Sequence, residues 1–255
     1  MPIKERRTKI LLLLFLLPNE HFSAFELTDT VQSIFDLTMN QKTKGVLSSM
    51  IKNGEIEKSS AEAAEGQGSE EKVMYKITDK GYQMLCLEFP FFRFLKEEWD
   101  GRWRIISYEI PESKREIRDR LRREMRGWGL GPWHRSFWLT PHPIVDTLRD
   151  LVYGKEEEQY IQSFESTHVF GDLKHLVEKV WAKDDLEKKY RELFKTWHTI
   201  LSSEEDKENK FRNILGKYVE ILREDPGLPV GLIGTKWIGF EALTILKEIK
   251  TILLR

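Results

Sequence analysis

The sequence predicts an α+β fold. Apolar residues repeat with helical spacing near the N-terminal end, and two short alternating stretches follow, which is the order of a helix-turn-helix and its wing. Alternating and helical segments then take turns through the middle of the chain, and helical spacing fills the last third. These patterns predict an N-terminal winged helix-turn-helix at 1–88, a connector at 89–98, a central ferredoxin-like βαβαβ domain at 99–171 and a small helical C-terminal domain at 172–255.

The composition of the 255 residues limits the class of protein. With 40% hydrophobic residues the chain can build packed cores, and its net charge of −1 neither favours nor excludes a nucleic-acid partner. The single Cys86 cannot form an internal disulfide, and we expect no metal and no cofactor because no zinc-ligand spacing or phosphate-binding glycine loop occurs. An apolar run at 10–17 imitates a signal peptide but is too short to cross a bilayer, so we expect a buried helix in a cytoplasmic protein without a membrane partner.

The N-terminal elements follow from periodicity and from helix stops. Gly54 ends the third of three helices, and the two strands after it are separated by a stretch without large apolar residues, which predicts a mobile loop. We expect helices at Lys4–Leu17, Ser23–Phe35, Asn40–Asn53 and Asp79–Leu87, strands at Glu55–Ser59 and Val73–Thr78, and the loop at Ser60–Glu71.

The third helix has a polar face that suits a major groove. We expect its other face to be buried through Val46, Leu47, Met50 and Ile51. No acidic residue occurs at 38–53, so lysines can neutralise phosphates there, while glutamine and serine bond base edges and glycine permits close approach. The predicted DNA contacts are Gln41, Lys42, Lys44, Gly45, Ser48, Ser49 and Lys52 of the helix, with Lys58 and Lys72 of the wing. The alternative is the solvated face of a protein-interaction domain.

The acidic wing tip is expected to take no part in DNA binding. Phosphate should repel its carboxylates, so we interpret it as a solvated insertion. The residues concerned are Glu62, Glu65, Glu70 and Glu71.

The central segment alternates between strands and helices. Pro111 ends the first strand, Ser113 is expected to cap the helix after it with Glu116 at the capping-box spacing, and three closely spaced glycines break that helix. The expected elements are strands at Arg102–Ile110, Phe137–Thr140 and Tyr160–Phe170, with helices at Ser113–Arg126 and Pro143–Tyr153. From Asp172 onward we expect helices, interrupted at Ser202–Glu208 and Asp225–Pro229.

Three stretches, in order, carry a family resemblance. They are Lys44–Gly54 with Tyr75–Gly81, Trp99–Glu112 with Phe137–His142, and Asp225–Pro229 with Trp237. Together they resemble the phenylacetate-degradation repressor family, PaaX. The resemblance implies a homodimeric repressor of double-stranded operator DNA that is released by an acyl-coenzyme A such as phenylacetyl-coenzyme A. The chain departs from the family pattern in its long acidic wing tip, in Ile238 where proline is usual, and in Glu109 where aspartate is usual.

The arginine-rich helix of the central segment has two interpretations. Its basic residues alternate with Glu116, Asp119 and Glu124 at helical i,i+3 and i,i+4 spacing, so a salt-bridged solvent face is the leading explanation. The alternative is an effector site in which arginines bind phosphate and an aromatic side chain stacks on the ligand. The candidate effector residues are Arg115, Arg118, Arg122, Trp133 and His134.

Glu109 suggests a rival function. The central domain resembles the small CRISPR-associated adaptation nuclease, in which an acidic residue ends the first strand. One carboxylate without neighbouring ligands holds a divalent cation poorly, so we expect no catalytic residue and no enzyme. The predicted function is a DNA-binding transcriptional repressor, and the alternatives are a metal-dependent nuclease and a winged-helix scaffold for protein contacts.

Overall fold

Eleven α-helices and seven β-strands lie within residues 3–61 and 72–254, the parts of the chain that the computed structural model describes. In chain order they are α1 (Arg6–Leu16), β1 (Phe25–Glu26), α2 (Asp29–Ile34), α3 (Gln41–Lys52), β2 (Ile56–Ala61), β3 (Lys72–Ile77), α4 (Asp79–Glu88), β4 (Arg102–Tyr108), α5 (Arg115–Gly127), β5 (Gly131–His134), β6 (Phe137–Thr140), α6 (Val145–Val152), β7 (Ile161–Thr167), α7 (Leu173–Trp181), α8 (Lys183–Leu201), α9 (Lys207–Leu222), α10 (Val230–Ile233) and α11 (Ile238–Leu253). All the paired strands are antiparallel, which confirms the predicted α+β class.

The chain forms two units, each assembled from separate segments. The first unit comprises Met1–Leu85, Glu192–Glu220 and Glu241–Arg255, and the second comprises Cys86–Arg191 and Ile221–Phe240. None of the helices in the described parts is long and apolar enough to cross a membrane.

The first unit is built around α1 and a three-stranded sheet in the order β1-β3-β2. The apolar run of α1 is buried on all sides, since Ile10, Leu12 and Leu14 have no exposed surface. Ile56 pairs with Ile77 and Lys58 pairs with Tyr75, so each of these pairs lies on one face of the β2–β3 ribbon. The signal-like stretch is therefore a core helix.

Helices from the C-terminal end of the chain are bonded to the N-terminal elements of this first unit. Arg212 of α9 donates to the carbonyl and the hydroxyl of Ser33, at 2.9 and 2.7 Å. Lys250 of α11 donates to the Leu17 carbonyl at 2.9 Å, just beyond the end of α1, where helix carbonyls lack intrahelical partners. These bonds join residues more than 170 positions apart in sequence.

The second unit contains a four-stranded sheet in the order β5-β6-β4-β7, connected as β-α-β-β-α-β. Both faces of the sheet are packed. On one face, Ile106, Tyr108 and Trp138 contact side chains of α5 and α6, including Leu121, Met125 and Leu148. On the other face, Trp103 and Leu139 contact Val180 of α7. Residues of β4 alternate between the two cores, as expected for a strand whose successive side chains point to opposite faces of the sheet.

Three local predictions were wrong. The first half of the predicted helix Ser23–Phe35 is not helical and contains β1, and α2 begins only after Thr28, whose hydroxyl accepts from the Val31 amide at 3.4 Å. Ser113 does not cap α5, because Glu112–Lys114 forms a 3-10 turn and Lys114 occupies the cap position without a side-chain bond. The order βαβαβ lacks one strand, β5, which begins at Gly131, one of the glycines that were expected only to break the helix before it.

Candidate nucleic-acid interface

Helix α3 is anchored by its first and last turns. The Asn40 carboxamide oxygen accepts from the Thr43 amide at 3.1 Å, and the buried Thr43 hydroxyl donates to the Thr38 carbonyl at 2.6 Å. Gly54 ends the helix with a positive φ of 70°, a conformation that glycine adopts without strain. Both ends of α3 are therefore fixed without using its lysines.

The residues predicted to contact DNA on α3 all lie on its exposed surface. They are Gln41, Lys42, Lys44, Gly45, Ser48, Ser49 and Lys52. Gly45 has open space where a side chain would be, since no atom of the described residues, apart from its chain neighbours and the nearby backbone of its own helix, lies within 4 Å of its ideal Cβ position. Packing inside the protein therefore does not account for a glycine in the middle of this helix.

The predicted buried face of α3 is only partly correct. Leu47 and Met50 are buried as expected, and Val46 is half-buried. Ile51, which was expected to be buried, is 37% exposed. It follows Met50 on the helix, and the 100° turn between neighbouring positions carries its side chain to the edge of the buried stripe.

A groove of about 450 Å³ lies between α3 and the β2–β3 ribbon of the first unit. Residues of both elements line it, together with residues of the β1–α2 segment and Met39. From α3 and the ribbon these are Lys44, Leu47, Ser48, Ile51, Lys58, Val73 and Tyr75. Sequence analysis missed Tyr75, although its position opposite Lys58 follows from the strand register.

The charges around this groove are mostly unpaired. In the described parts of the chain, no carboxylate lies within salt-bridge distance of Lys42, Lys44, Lys52 or Lys58. Lys72 differs, because its ammonium group lies 3.4 Å from Glu26. The acidic wing-tip residues 62, 65, 70 and 71 lie outside the described residues. The groove and the adjoining face of α3 can therefore attract an anionic polymer.

The predicted effector residues lie on α5 and β5 of the second unit. Arg118 donates to Glu112 at 2.6 Å, and Arg122 donates to the Tyr108 hydroxyl at 2.6 Å. Arg115 is 71% exposed and lies 3.5 Å from Asp119. The arginine beside Glu112 holds the pKa of that carboxyl below its usual range. Trp133 and His134 are exposed on β5.

Glu109 follows β4 at the edge of a separate groove in the second unit. Its backbone amide donates to the Tyr160 carbonyl at 2.9 Å, and its side chain is exposed. Gln159, Tyr160 and Gln162 line the same groove. Across residues 3–61 and 72–254, no group of three or more His, Cys, Asp or Glu side chains is placed to hold a metal ion.

Polar residues that sequence analysis did not single out lie in the interior of the second unit. The buried His142 ring bonds through Nε2 to the Pro226 carbonyl at 2.6 Å, and burial lowers its pKa to about 3. Asp225 is buried and accepts from the Tyr190 hydroxyl and the Gly227 amide, both at 2.8 Å. Burial raises the pKa of this carboxyl. These contacts hold the unit together and do not face solvent.

Comparison with known proteins gives two family matches. The family described as PaaX protein central Cas2-like domain matches residues 96–177, and the family described as PaaX-like protein C-terminal domain matches residues 181–255. No curated protein matches the sequence. The solved structure named uncharacterized protein Rv0674 from Mycobacterium tuberculosis has a TM-score of 0.52 and 16% identity over 98% of this chain and 97% of that chain, a likeness of fold alone.

Proposed function

The chain belongs to the PaaX family of transcriptional regulators, and from this premise we propose that it is a homodimeric repressor that binds double-stranded operator DNA through its N-terminal residues. We assign residues 1–88 to a winged helix-turn-helix, in which α3 is the recognition helix and β2–β3 is the wing. The element order α1, β1, α2, α3, β2, β3 and the sheet order β1-β3-β2 support this assignment.

The observation that carries the proposal is the exposed, acid-free face of α3. Three lysines on it have no carboxylate partner among the described residues, and Gln41, Ser48 and Ser49 add groups that can bond base edges. Gly45 adds independent support. A glycine inside a helix costs about 0.5–1 kcal/mol relative to alanine, and nothing within the described protein fills the space beside it.

Charge reversal on α3 tests the proposal. Lys42→Glu with Lys52→Glu should weaken binding on the order of 100-fold, because two phosphate contacts become repulsive while the buried residues of the helix stay unchanged. A duplex selected by the parent protein from a random-sequence pool serves as the probe in mobility-shift assays. Circular dichroism checks folding.

The matched control reverses two exposed lysines outside α3. Lys174→Glu with Lys236→Glu makes the same change in net charge, and it should leave DNA affinity within about two-fold of the parent because neither lysine belongs to the residues proposed to bind DNA. Equal affinity of the α3 variant and the parent would contradict the assignment of the recognition helix. If the parent protein enriches no duplex from the random-sequence pool, the result would favour the alternative that the winged helix is a scaffold for protein contacts.

The second unit is proposed to dimerise and to sense a small effector. Its β-α-β-β-α-β order supports a ferredoxin-like domain, and the family resemblance suggests an acyl-coenzyme A as the effector class. An effector releases DNA only if it prefers the non-binding conformation, with a coupling of about 1–3 kcal/mol.

Helix α5 is the proposed phosphate site of that effector, with the exposed Arg115 and the partly buried Arg118 and Arg122 as its cations. Arg118 would have to exchange Glu112 for a ligand phosphate. A panel of acyl-coenzyme A thioesters titrated against the protein–DNA complex tests this site. If α5 senses the ligand, Arg118→Ala with Arg122→Ala should abolish release but not DNA binding. If the thioester still releases DNA from this variant as strongly as from the parent, the arginines of α5 form only a salt-bridged surface.

A further inference from the structure

Ile51 is an apolar side chain exposed on a helix surface that is otherwise polar. It is 37% exposed, whereas Leu47 and Met50 of the same helix are 4% and 1% exposed. A single exposed apolar residue is ordinary on a protein surface. Ile51 differs because of its neighbours, since it lies between the buried stripe of α3 and the exposed residues Ser48 and Lys52.

Ile51 also lines the groove between α3 and the β2–β3 ribbon. Lys44 and Ser48 lie on the helix side of this groove, and Lys58 lies on the ribbon side. A nucleic-acid strand bound by these lysines would bring bases to the helix surface between them. The bound DNA would then cover the apolar side chain of Ile51, although the other groups that DNA presents are charged phosphates and hydrogen-bonding base edges.

The major groove of DNA offers one apolar group, the C5 methyl of thymine. We propose that Ile51 is a specificity-determining residue that selects thymine by packing against this methyl group. The inference rests on the proposed DNA-binding function and extends it from phosphate attraction to base choice. Phosphate contacts cannot supply this choice, because every base pair presents the same phosphates.

Replacement of thymine by deoxyuridine tests the proposal directly. The exchange removes only the methyl group and keeps the base pair and its hydrogen-bonding edge. In a duplex selected by the parent protein, each thymine is replaced in turn. At one or two positions the affinity should fall about four-fold, which corresponds to the burial of one methyl group at about 0.8 kcal/mol.

A double-mutant cycle assigns the effect to Ile51. Ile51→Ala should bind the thymine and deoxyuridine duplexes equally well, because the packing partner has been removed from the protein. The matched control is Val46→Ala, which shortens a half-buried residue of the same helix and should keep the four-fold preference for thymine. If Ile51→Ala does not fold, Ile51→Val provides the test, and it should reduce the preference.

Several outcomes would overturn the inference. These are a selected duplex in which no thymine is sensitive, a thymine preference that is unchanged in Ile51→Ala or Ile51→Val, and an equal loss on both duplexes that indicates contact with the sugar-phosphate backbone. None of them affects the proposed function, since in each the protein binds DNA. Failure of the random pool to yield any bound duplex would instead contradict the proposed function itself.

Discussion

Helices α3 and α5 are both basic, but in the described parts of the chain only α5 pairs some of its cations with carboxylates. Its Arg122, Arg123 and Arg126 have no carboxylate within salt-bridge distance there. On α5, Arg118 is bonded to Glu112, Arg115 lies near Asp119, and Arg120 pairs with Glu157. On α3, the lysines have no carboxylate within salt-bridge distance in the described parts of the chain. The comparison teaches that the number of basic residues on a helix does not define an anion-binding surface. Pairing with carboxylates also decides how much of the positive charge an anion meets.

The same contrast extends to the interior of the second unit, where polar groups stabilise the fold. The buried Arg104 side chain binds Asp100 at 2.9 and 2.6 Å and Glu165 at 3.0 Å, and it also donates to the Pro141 carbonyl at 3.2 Å. The guanidinium of Arg104 therefore bonds inside the protein, whereas the polar residues of α3 face solvent.

The largest expected effect comes from removing this buried cation. Arg104→Met should lower the free energy of unfolding by about 2–3 kcal/mol, because the Pro141 carbonyl loses the donor that the buried guanidinium supplies, while the partly exposed Asp100 and Glu165 keep bonds to Arg102. Urea unfolding measures the change. Arg115→Met is the control and should cost about 0.5 kcal/mol or less, since Arg115 is mostly exposed. Equal losses in the two variants would break the distinction between paired interior charges and surface charges.

Lowering the pH is expected to have an effect of intermediate size on the free energy of unfolding. His142 is neutral in the folded state because its pKa is about 3, whereas an unfolded histidine titrates near 6.5. The unfolded state therefore binds the extra proton as the pH falls below 6.5, and the stability declines toward pH 3. Between pH 7 and pH 5 the loss from this residue should be about 2 kcal/mol.

The substitution His142→Gln isolates this contribution. Glutamine keeps a donor for the Pro226 carbonyl but does not titrate, so the variant should show a pH 7 to pH 5 difference that is smaller by about 2 kcal/mol. Urea unfolding at the two pH values gives both quantities. An unchanged pH dependence would show that His142 is not the residue that takes up the proton.

Substitution of Gly45 is expected to have two smaller effects, a gain in stability and a loss of DNA affinity. Gly45→Ala should raise the free energy of unfolding by about 0.5–1 kcal/mol, because alanine favours the helix and its Cβ meets nothing in the described protein. The same methyl group should weaken DNA binding roughly ten-fold if the duplex approaches the backbone closely. Thermal unfolding and mobility shift measure the two effects separately.

Gly127 of α5 provides the matched control for this pair of effects. It too has open space at its ideal Cβ position, so Gly127→Ala should stabilise the protein without changing its DNA affinity. A Gly45→Ala variant that binds DNA as tightly as the parent would remove the argument for close approach at α3.

The sequence predicted the elements whose periodicity is local. The strand Phe137–Thr140 was predicted with the bounds that the structure has, and α3 was predicted to within one residue at each end. Strand β1 was not predicted, because its two residues are stabilised by pairing with β3, about 50 positions later in the chain. Local sequence periodicity does not indicate that a segment pairs with a strand so far along the chain.

In the candidate site, the exposure of the polar residues of α3 could be predicted from the sequence, but the exposure of Ile51 could not. Lysine, serine and glutamine on α3 follow from helical spacing, but the exposure of Ile51 depends on how the β2–β3 ribbon sits against the helix. The pairing of the α5 arginines was likewise open in the sequence, since Glu157 and Tyr108 are not neighbours of those arginines along the helix.

The smallest effect is expected at Glu109, which tests whether the second unit has any chemistry of its own. The exposed carboxylate belongs to no group of three or more potential metal ligands in the described parts of the chain, and its neighbours Gln159, Tyr160 and Gln162 are neutral. Glu109→Gln should therefore change stability by less than about 0.5 kcal/mol and leave DNA affinity unchanged. Parent protein incubated with magnesium or manganese should leave DNA and RNA intact, as measured by gel electrophoresis. Cleavage that depends on the metal and disappears in Glu109→Gln would show that polar residues of the second unit also act on nucleic acid, and the contrast with α3 would then fail.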